Sequence, residues 1–234
     1  MNAYALNSKV LTFFGSVDPT DANSTALRAV ALDRAQEAHD EFWMFMDGAD
    51  FQRKTTTITV TSGNNYADLP SDFMKFGDRG QLVLRVSDSD RRALEPLTDI
   101  EIFQYQESNG SSTGIPQFYC VMLQQGSDYT PLVQFDIKAN ATYTLSLLYF
   151  KVPPTLTDTN DNTSGLQFTP VEYHSAVMFK GALAKYSRHI GDARWPQFES
   201  DFKMAMANAK ASRASGQEAP ERILRGGAAS WEMW

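Results

Sequence analysis

The chain has 234 residues, 42% hydrophobic and 21% charged, enough for one large or two modest domains with a real core, which excludes bulk disorder. Its 28 acidic side chains outnumber 21 basic ones, for a net charge of -7, and that balance speaks against a dedicated nucleic-acid binder, which needs a basic stripe to neutralise phosphates. No apolar run reaches the ~20 residues that span a bilayer. Residues 1–15 do not read as a signal peptide, so folding in a cytoplasm is expected, and the single cysteine, Cys120, excludes an intrachain disulfide.

The hydrophobic period changes twice along the chain. Residues 6–14 predict a short amphipathic helix ended by Gly15. Residues 24–47 predict a long one, with Leu27, Val30, Ala31, Ala35, Ala38, Phe42, Phe45 and Met46 on one side and Arg28, Arg34, Glu37 and Glu41 on the other. Ser24 is its expected N-cap and Gly48 its stop. From residue 50 the period drops to two. Residues 55–61, 81–87, 132–138 and 143–149 alternate as strands, with turn-rich segments between them, which suggests an antiparallel sandwich or small barrel. Residues 107–114 and 155–167 read as polar loops.

At residue 170 the helical period returns. Thr169 and Pro170 predict an N-cap followed by proline at the first helical position. Val171, Val177, Phe179, Ala182, Leu183, Tyr186 and Ile190 would form the apolar stripe, and Gly191 the stop. Residues 194–215 predict a last helix carrying Trp195, Phe198, Phe202, Ala205, Met206 and Ala209 on one side. Each amphipathic helix must bury its stripe, and the economical solution packs all four together. The expected class is therefore α+β: a helical bundle of N- and C-terminal helices (residues 1–49 and 168–216), an inserted antiparallel β-sandwich or barrel domain (50–167), and an extended C-terminal arm (217–234).

Few residues suggest chemistry. His39, His174 and His189 fit no metal-ligand spacing, although His39 and His174 could meet in the bundle; packed histidines are the expected reading. Cys120 lies in the apolar stretch Phe118–Leu123 with no activating neighbour, so it reads as a small hydrophobe in a strand. The stretch Asp158-x-Asn160-x-Asn162 resembles a calcium loop, but Thr163 and Thr169 stand where glycine and a bidentate glutamate are needed. Asp88 and Asp90 read as a solvated turn. Tyr119, Tyr143 and Tyr149 could stack on a sugar, but sheet core is the expected role. Neither a nucleophile elbow nor a phosphate-cradling loop is present, so no catalytic residue, metal ligand or cofactor is assigned.

Several strings occur in a familiar order: Leu27 through Trp43, Thr61-Ser-Gly-Asn-Asn-Tyr66, Leu69-Pro-Ser-Asp-Phe73, Gly114-Ile-Pro-Gln-Phe-Tyr119, Ala141 through Tyr149, Pro153-Pro-Thr-Leu156, Pro170-Val-Glu-Tyr173 and Ile190-Gly-Asp-Ala-Arg194. Over residues 22–212 the chain resembles the head-to-tail adaptor (connector) proteins of tailed bacteriophages, of the short-tailed type. The resemblance implies a structural virion protein without catalysis, made in the host cytoplasm. It implies a homo-oligomeric ring, a dodecamer to match the portal, between the portal protein and the tail nozzle or tail fibre proteins. DNA would pass through without specific binding, in a lumen that the charge balance makes acidic or neutral. The other readings are a tail or fibre component, a β-sandwich carbohydrate-binding module, or a small hydrolase. Residues 217–234 match nothing in the family pattern. Gly216, Pro220, Gly226 and Gly227 are expected to break the helix there, yet Ile223, Leu224, Trp231 and Trp234 supply anchors. These four are the expected partner-binding residues, docking on an adjacent copy or on the portal.

Overall fold

A computed structural model of the chain describes residues 1–15, 22–76, 82–87, 89–123, 131–159 and 165–227, with side chains described for these except 22–24, 123 and 214–227. The chain forms two compact units, one of residues 1–47 with 153–234, the other Gly48–Val152. Residues 153–167, read from the sequence with the β segment, group with the helices.

The helical unit begins with α1 (Ala3–Phe13), where the Asn2 side chain accepts from the Ala5 backbone N–H at 2.9 Å and caps the first turn. Next comes α2 (Ala22–Phe45). Its inward row, Ala31, Ala35, Ala38 and Phe42, is at most 1% exposed. Three alanines in that row let a neighbouring helix come close. That neighbour is α5 (Phe179–His189), and its Gly181 sits where a Cβ would lie 2.8 Å from the Ala38 Cβ and 2.7 Å from the Phe202 ring. Arg28, expected on the outer side of α2, is buried instead. Its guanidinium lies 3.9 Å from the Tyr4 ring centroid and donates to both carboxylate oxygens of Asp158, at 2.7 and 2.8 Å. The Asp158 hydrogen bonds hold the Arg28 pKa above its ordinary value against the opposing pull of burial.

The β unit runs as β1 (Arg53–Val60), β2 (Tyr66–Asp68), β3 (Phe73–Phe76), β4 (Val83–Arg85), β5 (Arg91–Ala93), β6 (Glu95–Pro96), then helix α3 (Asp99–Asn109), β7 (Thr113–Gly114), β8 (Phe118–Leu123), β9 (Pro131–Phe135), β10 (Lys138–Ala139) and β11 (Tyr143–Lys151). A five-stranded sheet has the order β1-β11-β4-β5, with β3 also on β11. A four-stranded sheet has the order β2-β9-β8-β6. All pairs in the first sheet are antiparallel, but β6 runs parallel to β8 and β7 parallel to β10. These short parallel bridges depart from the antiparallel expectation, and no closed barrel forms among the described residues. Both larger sheets feed one core: Val60, Leu84, Leu145 and Tyr149 from the first meet Ala67, Tyr119, Val133 and Phe135 from the second. Strand β11 supplies its inner face by strict alternation, Tyr143, Leu145, Leu147 and Tyr149.

Helix α3 corrects the loop reading of residues 107–109. It starts at a capping box: the Glu101 N–H donates to the Thr98 hydroxyl at 3.3 Å, and the Thr98 N–H donates to the Glu101 carboxylate at 2.9 Å.

The chain returns to the helical unit through α4 (Val171–Tyr173), a π-helical turn (His174–Met178), α5 (Phe179–His189) and α6 (Trp195–Gly227). The wide π turn shifts the phase of the stripe. Val171, expected inside, is therefore 71% exposed, whereas Val177, Ala182, Leu183 and Tyr186 are buried. Pro170 is the N-cap residue rather than the first helical position, and no side chain caps that end. The Thr169 hydroxyl is instead engaged with His39. The α6 helix passes Gly216 and Pro220, so the expected break and extended arm do not begin there. The flanking residues, rich in Ala, Glu, Arg and Gln, have the propensity to carry a helix across Gly216, which costs only ~1 kcal/mol. Pro220 costs about 3 kcal/mol in a helix interior, and nothing in the structure explains how that is offset.

Candidate contact surfaces

Most of the described groups that suggested chemistry are committed to structure. His39 and His174 meet on either side of Thr169. His39 Nε2 lies 2.9 Å from the Thr169 hydroxyl, and His174 Nε2 lies 2.7 Å from the Thr169 carbonyl and 3.0 Å from that of Leu166. Two carbonyl acceptors require Nε2 of His174 to carry the proton. Nδ1 then accepts from the Met1 amine at 3.3 Å. Burial holds the His174 pKa below its ordinary value, so the ring is neutral and acts as a clasp between the residues before α4 and the π turn.

Cys120 is buried in β8, and burial pushes its thiol up to about 11, far from a nucleophile's range. Asp158, the first position of the calcium-like string, is held by Arg28 and by the Asn7 amide at 3.1 Å, while residues 160–164 lie outside the described residues. Asp90 pairs with Arg92 at 2.8 Å, and Asp88 lies outside the described residues. Among the described residues, no cluster of His, Cys, Asp or Glu could hold a metal ion, and no helix is long and apolar enough to cross a membrane. Tyr119, Tyr143 and Tyr149 are 2%, 7% and 0% exposed, so these three rings present no stacking platform.

Several strings singled out in the sequence act as pins. In Leu69-Pro-Ser-Asp-Phe73, Leu69 is buried and the Phe73 N–H closes a turn on the Pro70 carbonyl at 2.9 Å. The Asp72 carboxylate accepts from the Tyr149 hydroxyl at 2.5 Å and from the Lys54 ammonium at 2.8 Å. It thereby ties β3 to β11 and β1. Burial, with the Asp72 charge beside it, pushes the Tyr149 phenol up to about 12. In Gly114-Ile-Pro-Gln-Phe-Tyr119, the N–H groups of Gln117 and Phe118 both donate to the Asp136 carboxylate at 3.1 Å. In Ile190-Gly-Asp-Ala-Arg194, Gly191 takes φ +71°, and Asp192 holds the Arg194 guanidinium at 2.7 Å. That side-chain hydrogen bond brings the Asp192 carboxyl down to about 2.

The remaining candidates are surfaces. Of the expected docking residues, Ile223 and Leu224 fall on α6, where side chains are not described, and Trp231 and Trp234 lie outside the described residues. The sequence reading missed two other exposed apolar patches. One is the outer face of α3, where Ile100 is 66% and Phe103 49% exposed and Ile102 alone is buried. The other is the end of the helical unit at the α5–α6 turn, where Ile190, Trp195 and Phe13 are exposed. Arg188 lies over the Trp195 ring at 5.6 Å there. Ile190 had been read as stripe, but as the C-cap residue of α5 it has left the helical phase. A groove of about 530 Å³ also runs between the π turn and α6, lined by Tyr173, Val177, Lys180, Ala205, Ala209 and Arg213 among others.

Compared with known families, residues 1–225 match the model described as SU10 adaptor protein, and the chain belongs to that family. It is a family of structural, non-enzymatic phage proteins, components of the virion neck. No curated protein sequence matches the chain.

Proposed function

We propose that this adaptor forms a homo-oligomeric ring that joins the portal protein to the tail, in a short-tailed particle, and continues the DNA channel. The observation that carries the reading is the family match across residues 1–225, which takes in both compact units. The expected stoichiometry is twelve, to match the portal. Each copy brings a net charge of -7, so a ring sums a strong negative field and DNA slides through without specific binding. One side faces the portal and the other the tail nozzle or fibre proteins, and the chain is made in the host cytoplasm before joining the virion. Its role is mechanical: the groups that could have been catalytic are pins. The sugar-binding alternative loses support because its three candidate tyrosines are buried.

The residues proposed to dock are Ile223, Leu224, Trp231 and Trp234, on an adjacent copy or on the portal. Ile223 and Leu224 follow each other near the end of a long helix, and two tryptophans close the chain. Anchors of this kind typically cost about 2–4 kcal/mol each when truncated. The test is an image of the particle neck together with native mass spectrometry of the purified chain. A ring seen below the portal supports the reading, and a chain found only in the fibres overturns it. Deleting residues 218–234 should leave a folded chain that no longer attaches to portal-bearing heads. Attachment at unchanged affinity would remove the arm from the account.

A further inference from the structure

Two exposed apolar patches lie on different units, one beside an exposed arginine and the other on an acidic helix. The patch at the α5–α6 turn is aromatic and preorganised. Phe13 packs edge-on to Phe198 at 5.7 Å, Arg194 lies 5.6 Å over both rings, and Asp192 fixes that guanidinium. Trp195 is 38% exposed with Arg188 over it. Beside it opens a recess lined by Arg34, Glu37, Lys185, Arg188 and His189. Arg34 is paired with Asp33 and Glu37, and Lys185 with Glu41 and Glu199, so the charge this surface offers a partner is that of exposed Arg188. Aromatic residues and arginine on a pre-packed support are the composition of interface hot spots.

The patch on α3 is acidic, with no basic residue in the helix. Ile100, Phe103 and Glu107 recur at i, i+3 and i+7, so they share one face of the helix, and all three are exposed. Asp99 and Glu101 stand at the start of the same helix. The helix is held from below by Ile102, fully buried, and by Tyr105 stacked on Phe118 at 5.2 Å. Its outer face is thus a firm apolar pair in an acidic frame.

We infer that these two patches are the two halves of one contact between copies of the chain: the Trp195–Arg188 surface of one copy receives the α3 face of the next. The inference rests on the ring reading and supplies its interface. Charge selects the pairing. A two-fold contact would set Arg188 against its own equivalent, or one acidic α3 against another, and like charges brought together without water are costly. Joining unlike patches pairs opposite charges and buries Phe103 and Ile100 against Trp195 and Ile190. A contact between two different patches is head-to-tail, and a head-to-tail contact is what closes into a ring.

Two variants of the full chain, Trp195→Glu and Phe103→Glu, test this by light scattering and native mass spectrometry, with circular dichroism and thermal melting confirming that each is folded. The wild-type chain should assemble beyond a dimer. Each variant alone should be monomeric, with its self-association weakened at least 30-fold. Mixed in equal amounts they should form a 1:1 complex and nothing larger, because one intact surface remains on each partner. Arg188→Glu, which leaves the aromatic cluster in place, should weaken assembly, and adding Glu107→Arg in the same chain should recover at least tenfold of the loss. This pair decides the matter if Trp195→Glu does not fold. A wild-type chain that stays monomeric overturns the ring itself. A wild-type ring that both variants preserve, or folded variants that do not pair when mixed, overturns this interface and leaves the ring standing.

Discussion

Gly181 is the position where the helical unit is most sensitive to one added carbon. It lies on α5, facing α2 and α6 together. A Cβ there would stand 2.7 Å from Cε2 and 2.9 Å from Cζ of Phe202, and 2.8 Å from the Cβ of Ala38. Ordinary carbon contacts are about 3.5–4.0 Å, so the added atom overlaps two different helices by about 1 Å. Neither neighbour can yield: Phe202 is 0% exposed and Ala38 has no rotamer to change. The helices must separate instead. Overpacking of this kind costs about 1–3 kcal/mol, and an overlap on two sides belongs at the upper end. Alanine would return up to ~1 kcal/mol of helix propensity. Gly181→Ala should therefore destabilise the unit by about 2 kcal/mol net, a fall in Tm of about 4–8 °C. None of the chain's four tryptophans lies in the β unit, Gly48–Val152, and the two among the described residues, Trp43 and Trp195, belong to the helical unit. Tryptophan fluorescence during urea unfolding thus reports that unit separately from the β unit. Phe202→Leu removes the two crowding ring atoms, so the double variant should be at least ~1 kcal/mol better than the sum of the singles. A Gly181→Ala chain as stable as the wild type, or strict additivity with Phe202→Leu, refutes the close approach of the three helices.

Asp158→Asn takes the charged partner from buried Arg28 and should cost the helical unit about 1.5–3 kcal/mol by the same fluorescence assay; an unchanged midpoint means the ion pair contributes nothing. Tyr149→Phe removes the phenol's bond to Asp72 and should cost the β unit about 1–2 kcal/mol, followed by far-UV circular dichroism. Because the Tyr149 pKa is raised to about 12, its contribution is complete below the ordinary value of 10.0 and is lost as pH rises toward 12. The gap between wild type and Tyr149→Phe should close over that window, and a gap that widens contradicts the assignment. The depressed pKa of His174 has the opposite sign. Its contribution is present above the ordinary value of 6.5 and is lost as pH falls below it, because the unfolded imidazole takes up a proton that the folded one refuses. His174→Gln should flatten the acid side of the helical unit's stability curve, and an unaltered curve excludes His174 as its cause.

Legibility in the sequence followed how local each determinant is. The long helices and strand β11 were readable because burial of one face imposes a period on consecutive residues, Ala31, Ala35, Ala38 and Phe42 in one case and Tyr143, Leu145, Leu147 and Tyr149 in the other. Helix α3 was missed because its stripe buries only Ile102, so the period carried no weight. The available signal was Thr98 followed three residues later by Glu101, a capping box. The π turn at His174–Met178 has no one-dimensional signature, and it threw Val171 out of phase. Arg28 was assigned outward because charge is normally solvated; its burial depends on Asp158, 130 residues away. The break expected at Gly216 gave too much weight to single residues against the propensity of the whole segment. Of the exposed halves of the candidate interface, Trp195 was expected on the apolar stripe of the last helix and is 38% exposed, and Phe103 carried no reading in the sequence. Their exposure stands out only against a fold that buries most of its other large apolar side chains.

The strings that carried the family resemblance and the surfaces that would make contacts are largely different residues, and the structure gives the reason. Asp72 joins three strands through its carboxylate, Asp136 takes two backbone N–H groups at the entry to β8, and Asp192 clamps Arg194 in the turn between two helices. Each satisfies several polar groups at once, so its loss would leave unpaired donors at a turn on which the topology depends. Such residues reveal a fold because they cannot be exchanged without rebuilding it. Contact residues are under a different constraint. Ile100, Phe103 and Trp195 need only match a partner's surface, and a matched pair can change together while the fold stays the same. Ile100 and Phe103 sit on a helix outside every string quoted for the resemblance, and Trp195 stands one residue beyond the last of them. The strings by which the resemblance was read are therefore pins, and the proposed contact surfaces lie outside those strings, although within residues 1–225 that the family model matches. For this protein the informative experiments are accordingly those on α3 and on the α5–α6 turn.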